Sequence, residues 1–82
     1  MTDIANPPGV AETFVPRSST HIASITYEPD VENMTVEFQG DGADTYTYFN
    51  VPRQTYRDWC AEGGTDAFFR RRVKLSFSYE RQ

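Results

Sequence analysis

The chain has 82 residues, 15% of them aromatic, and this length supports one small domain that needs most of its apolar side chains for the core. Its formal net charge of −4 disfavours a generic nucleic-acid binder, because a uniformly acidic surface repels phosphate. The charge is uneven, however: residues 1–52 hold eight acidic residues and one basic residue, whereas residues 53–82 hold four acidic and seven basic ones.

This asymmetry in charge fits either a partner surface or one domain whose two ends lie side by side and neutralise each other.

The single cysteine, Cys60, excludes an intramolecular disulfide and a cysteine zinc cluster. The first ten residues lack the positive start and apolar run of a secretory signal, and no apolar stretch approaches the ~20 residues of a membrane helix. We therefore expect a cytoplasmic protein without membrane contact.

Residues 1–17 are predicted to form a flexible tail, because Pro7, Pro8 and Pro16 interrupt any regular period. A single domain is expected over residues 18–79, and residues 80–82 are expected to fray. Within the domain, three segments alternate with the period of two that is typical of half-buried strands. The residues expected on one face are Ala23, Ile25 and Tyr27, then Met34, Val36 and Phe38, then Tyr46 and Tyr48, with Ile22, Ser24 and Thr26 on the opposite face.

After Pro52 the period changes to that of a helix, with Tyr56, Trp59 and Cys60 on one face and an end at Gly63-Gly64. A second, shorter helix is predicted from Thr65 or Asp66. The fold class is therefore α+β: an antiparallel three-stranded β-meander packed against two short C-terminal helices, with the alternating segment Leu75, Phe77, Tyr79 as an optional C-terminal strand. The predicted core is Ile25, Tyr27, Val36, Phe38, Tyr48, Tyr56, Trp59, Phe69 and Val73.

One ordered series of residues runs through all of these elements. It consists of Ser19-Thr20-His21-Ile22, Ile25, Tyr27, Glu28-Pro29-Asp30, Met34, Val36, Phe38, Tyr46, Tyr48, Val51, Pro52, Tyr56, Phe68-Phe69, Val73 and Phe77. In this order and spacing, the residues resemble the KTSC domain family, which is named after the C-terminus of some lysyl-tRNA synthetases and occurs also in single-domain bacterial and phage proteins. The resemblance covers residues 18–79. Arg70 stands where the family tends to have an asparagine.

The family has no established activity, and RNA binding has been suggested from its position in a synthetase. The resemblance thus implies a small binding module associated with RNA or a ribonucleoprotein. Arginine and lysine contact phosphate, and exposed aromatic rings stack on unpaired bases. The candidate residues for nucleic-acid binding are Arg53, Arg57, Arg70, Arg71, Arg72, Lys74, Tyr46, Tyr48 and Phe49. The alternative for the arginines is a solvated helix end, and for Tyr46 and Tyr48 it is the core.

A competing interpretation is a protein-interaction module, for example a phage protein that binds a host protein through an acidic surface. Its candidate residues are Glu28, Asp30, Glu32, Glu37, Asp41 and Asp44.

No cofactor, metal site or enzymatic activity is predicted, because the lone His21 and Cys60 do not supply a ligand cluster or a nucleophile–base set. We expect a monomer or a weak homodimer that pairs through exposed strand edges. If the protein is encoded by a phage, the expected location is the cytoplasm of the host cell.

Overall fold

The computed structural model describes residues 10–17 and 19–82 and has a five-stranded antiparallel sheet at its centre. The strands lie in chain order across the sheet, and each is antiparallel to the next. They are β1 (Glu12–Phe14), β2 (Ile22–Glu28), β3 (Asn33–Phe38), β4 (Thr45–Tyr48) and β5 (Tyr79–Arg81). The α+β class is confirmed, and the predicted three-stranded meander is the middle of a larger sheet.

Both added strands correct the predicted domain limits. Residues 12–14, assigned to the tail, pair with β2, and residues 79–81, partly assigned to a frayed end, pair with β4. Each strand has only three residues, which is too short to show a period in the sequence. Residues 1–9 of the predicted tail lie outside the described residues. The alternation at residues 75–79 does not form a strand over its whole length, because residues 74–76 form a turn in which Leu75 is 91% exposed.

A β-bulge near the start of β2 changes which residues face the core. Ile22 pairs with Phe38 and Ser24 pairs with Glu37, so Ala23 is an extra residue on β2. Ile22 therefore faces the same side as Ile25, and both are buried. The prediction that Ile22 lies on the opposite face is wrong, because strict alternation assumes a regular ladder.

The core lies between one face of the sheet and the helical segments. Eight of the nine predicted core residues are buried, and Phe38 is half-buried at the edge of the core. The hydroxyl of Tyr27 donates to the carbonyl of Val51 at 2.6 Å, so this buried polar group is satisfied. The hydrophobic core also contains four buried residues that were not predicted in it, Ile22, Met34, Val51 and Phe68.

Two helical segments cover the inner face of the sheet. Helix α1 (Arg53–Ala61) begins after Pro52, as predicted, and carries Tyr56 and Trp59 into the core. Helix α2 (Asp66–Phe68) continues as a π-helical turn (Phe69–Val73). The Thr65 hydroxyl accepts from the Phe68 backbone N–H at 3.3 Å, which caps α2, and Trp59 Nε1 donates to the Thr65 carbonyl at 2.9 Å. These bonds fix the position of α2 against α1.

Gly64, in the connection between α1 and α2, touches the N-terminal arm. It has φ +69°, and a Cβ built on it would lie 2.7 Å from Pro16 Cγ and 2.9 Å from Phe14 Cε2. Glycine is therefore required at position 64 for two reasons. Its φ lies in the left-handed region, and the side chains of Phe14 and Pro16 leave no room for a Cβ. Phe14 and Pro16 thus attach β1 to the helical layer as well as to the sheet.

Candidate functional site

The three consecutive arginines divide between two sides of the helical segment. Arg71 Nη2 lies 3.6 Å from Glu62 Oε1, and Arg72 Nη2 lies 4.0 Å from Asp58 Oδ2. The Arg72 guanidinium carbon also lies 5.0 Å from the centre of the Phe68 ring. Arg71 and Arg72 therefore face carboxylates at the C-terminal part of α1, which offset part of their charge.

Arg70 and Lys74 instead border hollows beside the sheet. Their positions, four residues apart, place them about one turn apart along the same helical segment. Arg53 Nη2 lies 2.9 Å from Glu12 Oε2 on β1, and Arg57 is exposed on α1. The six predicted basic residues thus do not form one shared site, and of the six, Arg70 and Lys74 line the two hollows described next.

The larger hollow, which we call the aromatic groove, lies between β4, β5 and the π-helical turn. It has a volume of about 410 Å³, within the range of small-molecule sites. Lys74, Leu75 and Asp44 lie at its border. Its walls are the rings of Phe38, Tyr46, Tyr48, Phe69 and Tyr79.

A smaller hollow of about 250 Å³ adjoins the aromatic groove, since Phe38 and Phe69 line both. Arg70, His21 and Asp66 lie around it. The two hollows together follow the boundary between the sheet and the π-helical turn, with Lys74 beside one and Arg70 beside the other.

The Tyr-x-Tyr pair has two different environments. Tyr48 is 3% exposed and packs edge-on against Phe69, with ring centroids 5.8 Å apart. Tyr46 is half-buried, with its ring 5.9 Å from Phe38 and 5.5 Å from Tyr79. Tyr48 is therefore a core residue, whereas Tyr46 forms part of an accessible aromatic wall. Phe49, the third predicted aromatic candidate, does not line the aromatic groove.

Burial sets the protonation of the interior hydroxyl and thiol groups. It raises the pKa of Tyr48 to about 12, and nearby Tyr79 and Tyr46 add to the shift. Burial also raises the pKa of Tyr56 and of Cys60, although the hydrogen bond between the two lowers that of Cys60. These groups are therefore neutral at physiological pH, and the Cys60 thiol lacks the environment of an activated nucleophile.

A hydrogen-bond network joins the start of β2 to the start of α2. Ser19 Oγ donates to Asp66 Oδ1 at 2.6 Å and accepts from the Ile22 backbone N–H at 2.9 Å. His21 Nδ1 lies 2.9 Å from Asp66 Oδ2. The Ser19 hydroxyl is the largest cause of the lowered pKa of Asp66, and the His21 bonds contribute as well, against the opposing effect of burial.

The same His21 nitrogen also lies 3.1 Å from the Thr20 hydroxyl, whereas the Ser19 hydroxyl bonds to the Asp66 carboxylate. Within the described residues, no group of three His, Cys, Asp or Glu side chains is placed to hold a metal ion. The network thus connects two elements that are 45 residues apart in sequence. Neither residue type nor spacing in the sequence indicated this contact.

The predicted acidic residues also separate. Glu28 and Glu37 are exposed on strands β2 and β3, whereas Asp30, Glu32 and Asp41 belong to the connections between strands. Asp44 differs from all of these, because it lines the aromatic groove and lies 3.5 Å from Arg81 Nη1. The outer face of the sheet is otherwise polar, with side-chain contacts between Thr13 and Thr26 and between Thr35 and Thr47.

The comparisons with known proteins agree with this architecture. A family model described as the KTSC domain matches residues 18–77. The chain belongs to the KTSC domain family. The crystal structure of a KTSC domain protein from Yersinia pestis is similar to this chain, with 28% sequence identity and a TM-score of 0.71. The alignment covers 89% of this chain and 99% of that one.

No curated protein matches the chain significantly. In the part of the chain that the structure describes, none of the helices has the length and apolar character needed to cross a membrane. The KTSC match begins at residue 18 and ends at residue 77, so β1 lies before it and β5 after it. Tyr79, which the sequence analysis placed only in an optional strand, is therefore an accessible ring of the candidate site that lies beyond the family match.

Proposed function

We propose that this KTSC chain is a small, non-catalytic binding module that takes RNA, alone or within a ribonucleoprotein, at the aromatic groove. The observation that carries the proposal is the placement of accessible rings beside a basic border. Tyr46 and Tyr79 form an aromatic wall, and Lys74 lies at the same groove. Rings that receive bases and cations that receive phosphates are the two parts of a single-strand site.

The charge distribution supports one direction of approach for the nucleic acid. Exposed Glu28 and Glu37 lie on the outer part of the sheet, while Arg70 and Lys74 lie on the helical side. Phosphate is repelled by the glutamates of the first surface and attracted by Arg70 and Lys74 on the second, where Asp44 and Asp66 also lie. Net acidity of the whole chain is therefore compatible with a local site, provided that the ligand is small or single-stranded.

Two double variants of basic residues give a matched test of the proposal. The variant Arg70→Ala/Lys74→Ala and the control Arg71→Ala/Arg72→Ala each remove two positive charges. Only the first pair borders the two hollows, and Arg71 and Arg72 already face carboxylates. We expect Arg70→Ala/Lys74→Ala to weaken binding of single-stranded RNA and to lower the slope of log affinity against log salt by about one for each lost phosphate contact.

Fluorescence anisotropy over a series of salt concentrations measures both quantities. Equal losses in the two variants would mean that general charge, and not this site, governs binding. No measurable binding of any single-stranded RNA by the unmodified chain would refute the proposed function. Circular dichroism of each variant checks that the fold is intact.

The absence of catalysis in the proposal rests on two local arrangements. The His21 imidazole is bonded to Asp66, and the pKa of the Cys60 thiol is raised. A cytoplasmic location is part of the same proposal, because a single cysteine stays reduced in the cytoplasm.

A protein partner on the acidic outer face of the sheet is the second candidate function. The observation in its favour is that Glu28 and Glu37 are both exposed beside the polar threonine pairs. Affinity purification from the native host, with and without nuclease, separates the two functions. A companion protein that survives nuclease and is lost from a Glu28→Lys/Glu37→Lys variant would favour this candidate over RNA.

A further inference from the structure

We propose that the aromatic groove selects unpaired bases that carry an exocyclic amino group, such as adenine and cytosine, over uracil, with Asp44 as the acceptor of that group. This inference rests on the proposed function and assigns the base preference of the same site. Asp44 is the residue that determines the preference, and Lys74 receives the adjoining phosphate.

The shape of the groove requires an unpaired base. Its walls are side-chain rings around a volume of about 410 Å³, and the most accessible ring, Tyr79, is 56% exposed. Paired bases are stacked within a duplex and cannot enter such a hollow, whereas an unpaired base can turn out and stack on a ring. One nucleotide, and not a helix, is therefore the unit that the groove accommodates.

The carboxylate of Asp44 has acceptor capacity that the protein does not use fully. Its one ion pair, among the described residues, is with Arg81, where Nη1 lies 3.5 Å from Oδ2. This distance is at the long limit of a hydrogen bond, and a carboxylate offers about four acceptor positions. The backbone carbonyl of Asp44 accepts from the Phe38 N–H at 3.1 Å, so the residue is held at the mouth of the groove.

A carboxylate discriminates between bases by the group that faces it. The amino groups of cytosine and adenine donate to a carboxylate, whereas the carbonyl at the corresponding position of uracil is an acceptor and is repelled. Phosphate is repelled as well. The base edge is therefore expected at Asp44 and the phosphate at Lys74, which gives the nucleotide one orientation in the groove.

The test uses the full chain and three homo-oligonucleotides of equal length, made of adenosine, cytidine or uridine. Affinities are measured by anisotropy at one salt concentration for the unmodified chain, for Asp44→Asn and for the control Asp41→Asn. Asp41 lies in the same loop but does not line the groove, and its replacement removes the same charge. We expect the unmodified chain to prefer adenosine and cytidine over uridine by about tenfold, the size of a charge-assisted hydrogen bond.

An amide at position 44 both donates and accepts, so Asp44→Asn is expected to reduce this preference to about twofold or less, mainly by strengthening uridine binding. Asp41→Asn is expected to raise all three affinities by a similar factor and to leave the preference unchanged. Equal affinities for the three oligonucleotides, or a preference that Asp44→Asn leaves intact, would overturn the inference while the RNA-binding proposal stands. Failure of all three to bind would overturn both.

Discussion

Two pairs of tyrosines lie on the inner side of the sheet and differ in burial. Tyr27 and Tyr56 stack with ring centroids 5.0 Å apart and are 0% and 4% exposed. Tyr46 and Tyr79 meet at 5.5 Å and an interplanar angle of 62°, and Tyr79 is 56% exposed. We call the first pair the covered pair and the second the open pair.

The difference lies in where the two helical segments contact the sheet. Helix α1 places Tyr56 and Trp59 against the sheet. The second segment places Phe69 against Tyr48 and its π-helical turn ends at Val73, so nothing in the described residues covers the edge formed by β4 and β5 as fully. Tyrosines on the inner side of the sheet therefore become core or surface according to the layer above them.

The largest expected effect that separates the two regions is on stability. Trp59 is fully buried, stacks on Phe68 at 5.9 Å and donates to the Thr65 carbonyl. We expect Trp59→Ala to lower the free energy of unfolding by about 3–5 kcal/mol, through lost packing and the lost hydrogen bond to the Thr65 carbonyl. Tyr79→Ala, at the open pair, is expected to cost less than about 1 kcal/mol.

Urea denaturation followed by circular dichroism measures both free energies. If Trp59→Ala leaves too little folded protein to measure, Phe68→Leu serves as a milder variant in the same stack. Comparable costs for Trp59→Ala and Tyr79→Ala would contradict the distinction between a covered core and an open groove.

A smaller effect is expected at the connection beneath the covered region. Gly64→Ala must adopt φ +69° and also displace Phe14 and Pro16, whereas Gly42→Ala must adopt φ +72° with nothing within 4 Å. Left-handed backbone alone costs about 1–2 kcal/mol for a residue with a Cβ. We therefore expect Gly64→Ala to destabilise the protein by more than Gly42→Ala, and thermal or urea unfolding of both variants gives the difference. If the two variants lose the same free energy of unfolding, the contact of Phe14 and Pro16 with Gly64 does not stabilise the protein.

A further effect on stability depends on pH and concerns the hydrogen-bond network beside the smaller hollow. The pKa of Asp66 is lowered from its ordinary value of 3.8, mainly by the Ser19 hydroxyl. A lowered folded-state pKa means that the unfolded chain binds the proton more readily, so acid favours unfolding. The stabilisation is therefore complete well above pH 3.8 and is lost as the pH falls through the lowered pKa.

Asp66→Asn is expected to remove this part of the acid sensitivity and to cost about 1–2 kcal/mol at neutral pH, since the hydrogen bonds to Ser19 and His21 lose their charge. Unfolding free energies at neutral pH and near pH 3 measure both terms. The control Asp41→Asn, at an exposed loop position, should change neither. An unchanged acid dependence in Asp66→Asn would show that the network does not stabilise the fold.

The covered region was largely predictable from the sequence, and the open region was not. Tyr27, Tyr56 and Trp59 follow the periods of strand and helix, and all three were expected in the core. Ile22 was misplaced, because the bulge after it breaks the alternation on which the prediction rests. Periodicity thus identifies a face, but it detects neither an inserted residue nor an edge strand of three residues.

The candidate site depended on contacts that no local pattern contains. The predicted site included Lys74, Tyr46 and the arginines on the basis of residue type alone. Arg70, Arg71 and Arg72 were predicted to act as one group. The division between Arg70 on one side and Arg71 and Arg72 on the other depends on the carboxylates of Asp58 and Glu62, which the fold brings near. Asp44 was grouped with the acidic surface, because its contact with the groove requires β5 to be in place.

The most direct test of the central claim is a map of backbone amide chemical shifts during titration with a short single-stranded cytidine oligonucleotide. The open region is expected to respond, with the largest changes at Phe38, Asp44, Tyr46, Lys74 and Tyr79, while the amides of Tyr27, Tyr56 and Trp59 stay nearly unchanged. Changes confined to α1 or to the outer face of the sheet, or no changes at concentrations that saturate other single-strand binders, would contradict the account.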